Sequence, residues 1–303
     1  MKQTVLILGG SGKIGSRSAD AFWDAGWEVR HYDRKTGDMV AAADGVDVIV
    51  NGLNPPAYHQ WERTIPEITT QVIAAAKASG ATVIVPGNVY IYGDQPGVLD
   101  ENTPQNAHTK KGRVRIEMED SYRASGVQTI VLRAGNFIDP AGNGDIMSML
   151  IMRDIKKGKI TAAADPDTLQ SYAYVPDWGR AAVRLAEKRA ELAMFEDVPF
   201  PGHAFTTTDL QRCVENHTKR SIKINRFPWW MMTILSPFWE LAREMREMRY
   251  LYAMPHRIGS AKFDRLVPEF EPTDLEQVML AGLSADIDPD KAMRPGGKAV
   301  VAN

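Results

Sequence analysis

The stretch that most constrains the fold lies at the start of the chain, where Thr4–Leu8 (Thr-Val-Leu-Ile-Leu) precedes Gly9–Gly15 (Gly-Gly-Ser-Gly-Lys-Ile-Gly). Five apolar or β-branched residues in a row predict a strand that is buried on both faces, as in a parallel sheet covered by helices. Ser16–Ala25 then has a helical pattern that ends at Gly26. A strand, a G-x-x-G-x-x-G turn and a helix in this order predict a dinucleotide-binding unit.

Three glycines and the start of the helix are the first candidate cofactor contacts. Gly9 permits the tight turn, Gly12 lets the backbone approach a pyrophosphate, and Gly15 lets the helix pack closely on the strand. Lys13 and Ile14 belong to the helix N-terminus, whose backbone N–H groups and partial positive charge attract phosphate. We therefore expect the pyrophosphate of a dinucleotide to lie at this turn.

The acid at the end of the second strand bears on which dinucleotide binds. Asp33 follows the predicted strand Trp27–Tyr32, at about the separation at which an acid hydrogen-bonds the adenosine ribose. Asp33 would repel a 2′-phosphate, which favours NAD, whereas Arg34 and Lys35 favour NADP. We expect NAD and keep NADP as the alternative. Further candidate cofactor contacts are Arg34, Asp38, Met39, Leu53 and Arg113.

Composition excludes several classes of partner and site. Lys and Arg number 36 and Asp and Glu number 38, so the net charge is −2 and no basic field indicates nucleic acid. The single cysteine, Cys213, cannot form an internal disulfide, and we expect a cytoplasmic protein. The six histidines lack metal-ligand spacing, so we expect no metal site. No apolar run reaches the length of a membrane span.

Strands and helices alternate five times before Pro140. This order predicts an α/β protein with a doubly wound parallel sheet, the Rossmann arrangement. The predicted elements after Asp33 are strands at Val46–Asn51, Ala81–Pro86 and Gln128–Arg133 and helices at Trp61–Ser79 and Lys110–Ala124.

The regular alternation stops near Pro140, which predicts a second, smaller unit. We expect residues 1–140 to form the dinucleotide-binding Rossmann domain, with 172–200 returning to it. Residues 141–171 and 201–303 would form a smaller C-terminal α/β domain that covers the substrate. Its predicted elements are a helix at Asp145–Lys157 and a helical stretch at Asp209–Thr218, with a loose tail at Asp286–Asn303. A short strand within Asp165–Val175 leads into a helix at Trp178–Arg189.

Beyond the glycine turn and Asp33, several short motifs resemble the extended short-chain dehydrogenase/reductase superfamily, which includes sugar-nucleotide epimerases and dehydratases. They are Ile91-Tyr92-Gly93, Asp100–Pro104, Leu132–Phe137 and Tyr174–Asp177, and with the glycine turn they span about residues 4 to 185. The resemblance implies an NAD(P)-dependent epimerase, dehydratase or reductase that acts on a small polar, sugar-like molecule.

The resemblance also implies a catalytic Ser or Thr, a Tyr, and a Lys four residues after the Tyr, but this chain contains no Tyr-x-x-x-Lys. Counting back from Tyr92-Gly93 puts Asn88 at the Ser position. Counting back from Glu117 puts Arg113 at the Lys position and Thr109 at the Tyr position. An aliphatic hydroxyl is too weak an acid to replace a phenol.

Three nearby residues are candidates to replace the missing phenol. Tyr90 lies two residues after Asn88, on the same side of an extended segment, and we take it as the candidate acid. Tyr90 is alternatively an aromatic of the cleft wall. Lys110 and Lys111 directly follow Thr109. They are either lysines that titrate near neutral pH or part of a solvated first turn of the helix.

The substrate candidates are Tyr90, Asn136, Tyr172 and Trp230. Trp229–Leu235 is almost wholly apolar, and we expect it to be a lid in which both tryptophans cover the cleft. A membrane-surface role for this segment ranks lower, because acids and bases are balanced in the charged helix that follows. An apolar stripe in that helix, at Leu241, Met245, Met248 and Tyr252, predicts packing on the sheet domain.

Two functions stay open at this point. The first is an NAD(P)-dependent oxidoreductase or epimerase/dehydratase. The alternative is a dinucleotide-binding sensor or scaffold that binds the cofactor without turning it over, since the glycine turn is intact and the acid/base set is not. A homodimer is compatible with either function.

Overall fold

A computed structural model describes residues 2–35, 37–142 and 144–283. Through the glycine-rich half, the elements are β1 Thr4–Leu8, α1 Lys13–Asp24, β2 Glu28–His31, α2 Met39–Ala42, β3 Val48–Asn51, α3 Trp61–Ser79, β4 Thr82–Gly87, β5 Gly97–Leu99, α4 Lys110–Ser125, β6 Thr129–Arg133 and β7 Asn136–Ile138. They continue with β8 Lys159–Ala162, β9 Gln170–Tyr174, α5 Val175–Glu187, β10 Phe195–Pro199, β11 His203–Phe205, α6 Thr207–Thr218, β12 Lys223–Arg226, α7 Trp229–Leu235, α8 Glu240–Glu247, α9 Arg249–Ala253, β13 His256–Ile258, α10 Ala261–Leu266 and α11 Leu275–Leu280.

Six parallel strands form the central sheet in the order β10-β6-β4-β3-β1-β2. Their residues alternate between two cores, so Val5 and Ile7 of β1 join one core and Leu6 and Leu8 join the other. Helices α1 and α5 cover the first face, and α2, α3 and α4 contribute to the second. The doubly wound α/β fold is thereby confirmed, and the order in which the strands are added reverses between β1 and β3.

The remaining strands form three small sheets outside the central one. Their orders are β11-β9-β7, β12-β8 and β13-β5. A third core, built around Ile138, Tyr172, Phe205 and Leu210, joins this region to α11. The chain returns to the central sheet at β10, where Val198 is fully buried. We retain the division into 1–140 with 172–200, and 141–171 with 201–303, as a proposal.

Two predicted helices differ from the structure. Instead of one helix over Asp145–Lys157, the chain forms a π turn at Met147–Ile151 and a 3-10 turn at Ile155–Lys157. The wider π turn buries Met147, Leu150 and Ile151 together in the third core. The apolar stripe after Trp239 is carried by two helices, α8 and α9, which meet at Met248.

Predicted termini elsewhere shift by a few residues, and the short strand β5 lies between the motifs Ile91-Tyr92-Gly93 and Asp100–Pro104. Asp286–Asn303 lies outside the described residues. Within the described part of the chain, no helix is long and apolar enough to cross a membrane, and no group of three or more His, Cys, Asp or Glu side chains could hold a metal ion.

Candidate functional site

Three glycines allow β1, α1 and the end of β3 to meet at the switch point of the sheet. A Cβ atom on Gly15 would lie 2.2 Å from the carbonyl oxygen of Gly9, and one on Gly52 would lie 2.8 Å from that of Leu8. Gly9 itself has φ of +74°, the left-handed region that favours glycine. These glycines are therefore required by the packing of the chain on itself.

Gly12 differs from these three, because the space beside it is open. A Cβ atom there would meet only the carbonyl oxygen of Gly9, at 3.3 Å, and φ is −85°. Gly12 is the N-cap of α1, and neither a side-chain cap nor an acidic residue occupies the first turn. The helix N-terminus is thus arranged as a phosphate site, and this open backbone fits a dinucleotide.

The two residues after Gly12 have different roles. Ile14 is 7% exposed and packs in the first core. The Nζ atom of Lys13 donates to the carbonyl oxygen of Gly144 at 2.8 Å. Burial lowers the pKa of Lys13, although the negative charges of Asp145 and Asp139 act to raise it. The backbone of Lys13 therefore belongs to the glycine turn, while its side chain ties α1 to the segment after β7.

The candidate ribose and adenine contacts lie beyond β2. The exposed Asp33 accepts a hydrogen bond from the backbone N–H of Lys35 at 2.8 Å, and Arg34 beside it is exposed. Asp38 caps α2 by accepting from the N–H groups of residues 40 and 41, and Met39 is buried. Asp33 and Asp38 are therefore both exposed acids that accept backbone hydrogen bonds.

On the neighbouring strand, Leu53 is half-buried after β3. Its backbone N–H donates to the Oδ1 atom of Asn51 at 3.2 Å. A Cβ atom on Gly9 would lie 3.2 Å from the backbone nitrogen of Leu53. Leu53 therefore adjoins the glycine turn, as its assignment to the cofactor site requires.

Helix α4 turns a charged face inward. Lys111, Arg115 and Glu119 are 3%, 7% and 1% exposed, whereas Arg113 and Glu117 are exposed. The expectation of a solvated first turn is therefore wrong for Lys111. The spacing of four residues between Lys111, Arg115 and Glu119 follows the helical repeat. Counting back from Glu119 rather than Glu117 puts Arg115 at the family's Lys position and Lys111 at its Tyr position. The sequence did not indicate this pair, because Glu117 was taken as the starting point.

Thr109 and Arg113, the residues expected at the Tyr and Lys positions, have local partners. Thr109 is the N-cap of α4, and its hydroxyl accepts a hydrogen bond from the N–H of Gly112 at 3.1 Å. The Nη1 atom of Arg113 donates to the carbonyl oxygen of His108 at 3.0 Å on an exposed surface. In the structure Thr109 therefore caps the start of α4, and Arg113 hydrogen-bonds the backbone just before it.

Arg115 is the charged residue of α4 that reaches the carboxyl end of β3. Its Nη2 atom donates to the Oδ1 atom of Asn54 at 2.7 Å, and its guanidinium lies 4.5 Å from the centre of the Trp61 ring. Its buried Nε atom has no hydrogen-bond partner within the described residues. An unpaired buried donor is costly, so a further hydrogen-bond partner for this Nε atom would be stabilising.

Tyr90 lies beside Arg115 in the turn that follows β4. Its hydroxyl is 3.4 Å from that of Tyr58. Burial raises the pKa of Tyr58 well above its usual value, and Tyr90 adds to that shift. Burial lowers the pKa of Arg115, and Tyr90 acts in the opposite direction. Tyr58 and Tyr90 are both half-buried, and Tyr90 is close enough to Arg115 to influence its pKa.

A buried ion cluster holds the turn that carries Tyr90. The Oδ1 atom of Asn88 accepts from the N–H of Tyr90 at 3.0 Å, and the carbonyl oxygen of Asn88 accepts from Arg133 Nη1 at 2.7 Å. Arg133 is fully buried and also binds Glu119 through two bonds and Asp197 at 2.7 Å. Burial opposes the charge of Arg133, but the two carboxylates outweigh it and raise its pKa.

The other substrate candidates lie at different depths. Asn136 is half-buried at the start of β7, opposite Tyr172 of β9. Tyr172 is 4% exposed and stacks on Phe205 with 4.1 Å between ring centres, which makes it part of the third core. Burial raises its pKa. Asn136 is therefore the more accessible of the two.

The two tryptophans of the predicted lid lie in different environments. Trp229 is buried, with its ring 4.7 Å from that of Phe227, whereas Trp230 is 68% exposed. Neighbouring residues of a helix point about 100° apart, so the two tryptophans face different directions. Trp230 faces outward because its neighbour Trp229 takes the inward position.

Known structures share this fold across most of the chain. The structure of MoeE5 in complex with UDP-glucose and NAD has a TM-score of 0.71 at 13% identity, covering 96% of this chain and 98% of that one. The UDP-glucuronic acid 4-epimerase from Bacillus cereus in complex with NAD has a TM-score of 0.73 at 15% identity, covering 92% and 94%. The Bordetella bronchiseptica enzyme WbmH in complex with NAD+ has a TM-score of 0.69 at 16% identity, covering 93% and 97%.

No curated protein matches the chain significantly in sequence. A sequence model of the NAD dependent epimerase/dehydratase family matches residues 5–198, which is more than half of the 303 residues. This match confirms the resemblance, the NAD cofactor and the enzyme class. The chain belongs to the NAD dependent epimerase/dehydratase family.

Proposed function

We propose that this protein binds NAD at the Gly9–Gly15 turn and uses it in an epimerase-like or dehydratase-like reaction of a nucleotide-linked sugar. The open backbone at Gly12, at the N-terminus of α1, is the observation that carries the cofactor site. UDP-glucose and UDP-glucuronic acid, named with the MoeE5 structures, indicate the substrate class. With one cysteine in the sequence, we propose a cytoplasmic location.

We further propose that Tyr90 is the acid/base and that Arg115 replaces the family's lysine. NAD, when bound, supplies a group that accepts a hydride. The Tyr90 hydroxyl would give or take the proton of the sugar hydroxyl, and the guanidinium of Arg115 would stabilise the phenolate form. The unpaired Nε atom of Arg115 supports this role, since a hydroxyl of the cofactor or substrate would satisfy it.

Replacing Tyr90 with phenylalanine tests the acid/base. The hydroxyl is removed while the ring stays, so we expect turnover to fall by about 10²- to 10⁴-fold with little change in NAD affinity. Sugar interconversion is measured with UDP-glucose and UDP-glucuronic acid, and NAD affinity is measured by calorimetric titration.

Thr109→Ser is the comparison variant, because serine keeps the cap of α4 and changes only one methyl group. We expect it to retain most turnover. An inactive Thr109→Ser protein beside an active Tyr90→Phe protein would contradict the assignment of Tyr90.

Asp33 should set the preference for NAD over NADP. In Asp33→Ser the carboxylate that repels a 2′-phosphate is gone, and Arg34 and Lys35 remain beside the site. We expect the affinity for NADP to rise by about fivefold, which corresponds to one exposed charge interaction of about 1 kcal/mol. Calorimetric titration of both dinucleotides measures it, with the exposed Asp44→Ser as the control. Wild-type protein that binds NADP tenfold more tightly than NAD would overturn the preference.

A further inference from the structure

An exposed apolar surface is built on α7 and the turn that follows it, and we call it the α7 patch. Its five residues are Trp230, Met231, Ile234, Phe238 and Trp239, which are 68%, 36%, 63%, 91% and 45% exposed. Five exposed large apolar side chains within a segment of ten residues, 230–239, are unusual for a protein face in contact only with water. The patch therefore indicates a partner.

The α7 patch has a packed base. On the inner side of α7, Trp229 and Met232 are buried and pack with Ala242 of α8. The indole nitrogen of Trp229 donates to the carbonyl oxygen of Ala163. Since these contacts fix the inner side, the outer side chains are presented by an ordered helix.

The acids of α8 are paired, which changes the charge beside the patch. Glu244 and Glu247 both bind the buried Nζ atom of Lys111. Glu240 lies 3.0 Å from His59 Nδ1. The sequence of α8 and α9 is balanced in charge, but the pairing of Glu244 and Glu247 with α4 and of Glu240 with His59 leaves a mainly basic outer surface, in which Arg243 also lies 3.5 Å from Glu244. That surface carries the exposed Arg243, Arg246 and Arg249.

A basic cavity adjoins the patch. It has a volume of about 660 Å³. Its charged lining residues are Lys110, Arg113, Arg246, Arg249 and Glu247, beside His108 and Tyr250. The Nη1 atom of Arg246 donates to the hydroxyl of Ser236 at 2.6 Å, between Ile234 and Phe238 of the patch. Arg246 therefore connects the cavity and the α7 patch directly.

We propose that the α7 patch and the basic cavity bind the surface of an anionic lipid bilayer. The aromatic and aliphatic side chains would enter the interface, and the arginines and Lys110 would bind lipid phosphates. Tryptophan beside basic residues is the composition that such interfacial contacts require. This binding is peripheral and adds to the enzyme activity proposed above, on which it does not depend.

A second copy of the chain fits this surface less well. In a two-fold symmetric contact the same patch faces itself, so the arginines of one copy would approach those of the other. Like charges brought together in this way are unfavourable, whereas an anionic bilayer neutralises them. Charge complementarity thus favours the lipid surface over a homodimer formed through α7.

Co-sedimentation of the full chain with vesicles tests the proposal. We expect binding to vesicles of phosphatidylcholine with phosphatidylglycerol, weaker binding to phosphatidylcholine alone, and weakening by salt. The Trp230→Ser, Phe238→Ser double variant should bind at least about tenfold more weakly, because it loses two rings that would be buried in the bilayer interface. Arg243→Glu with Arg249→Glu should remove the preference for anionic vesicles.

Trp23→Ser is the matched control, since Trp23 is also 68% exposed but lies on α1. It should bind vesicles as the wild type does, and the thermal unfolding of every variant should match the wild type. The proposal would be overturned if the wild-type protein did not bind anionic vesicles, or if the double variant bound them as strongly as the wild type. A wild-type dimer that becomes monomeric in the double variant without vesicle binding would assign the patch to a second copy instead.

Discussion

Replacing Gly12 with valine is expected to abolish NAD binding while the protein still folds. A branched side chain would occupy the open space that the pyrophosphate needs at the N-terminus of α1. Loss of two hydrogen bonds to a charged phosphate costs about 3 kcal/mol or more, which lowers affinity by about a hundredfold or more. Calorimetric titration of NAD measures this change, and circular dichroism checks the fold.

Gly15→Ala is the control that separates binding from folding. Its new Cβ atom would lie 2.2 Å from the carbonyl oxygen of Gly9, so α1 has to move away from β1. We expect Gly15→Ala to lower the free energy of unfolding, whereas Gly12→Val loses NAD with a smaller change in stability. Normal NAD affinity in Gly12→Val would mean that the cofactor lies elsewhere.

Replacing Arg133 with methionine should be among the most destabilising single changes in the chain. It would leave Glu119 and Asp197 without their shared cation in a buried site. Breaking a buried ion pair from one side costs about 3–5 kcal/mol. Urea unfolding of wild type and variant measures the difference in the free energy of unfolding.

Arg123→Met is the matched control, on helix α4, which also carries Glu119. Arg123 is exposed and pairs with the exposed Asp120, so its loss should cost less than about 1 kcal/mol. Similar costs for the two variants would contradict a structural role for the Arg133 cluster. Arg133→Met should also reduce turnover, because Arg133 holds the carbonyl group of Asn88 in the turn that carries Tyr90.

Local patterns were sufficient to predict the central sheet. The strand at Thr4–Leu8 and the helix at Trp61–Ser79 have the predicted limits, because continuous apolar runs and a 3.6-residue repeat are visible in the sequence itself. The glycines at 9 and 15 were also recognisable, since their spacing follows from the strand–turn–helix geometry. These features depend on residues that are close together along the chain.

The inward face of α4 could not be predicted in the same way. That face carries Lys111, Arg115 and Glu119, so its apolar repeat is weak. Counting the family's four-residue spacing back from Glu117 was therefore as reasonable as counting it back from Glu119. The partners that allow these charges to be buried come from distant parts of the chain, at Glu244, Asn54 and Arg133. Only the tertiary contacts decide which charges are inside.

The sequence alone determined that this protein has a doubly wound parallel sheet and a glycine turn suited to a dinucleotide, because both follow from short-range periodicity and spacing. The tertiary structure decided that Arg115 reaches the end of β3, that Trp229 rather than Trp230 is buried, and that the acids of α8 pair with Lys111. The physical reason is that burial of a charge or a ring depends on partners that are remote in sequence, and these partners meet only when the chain folds.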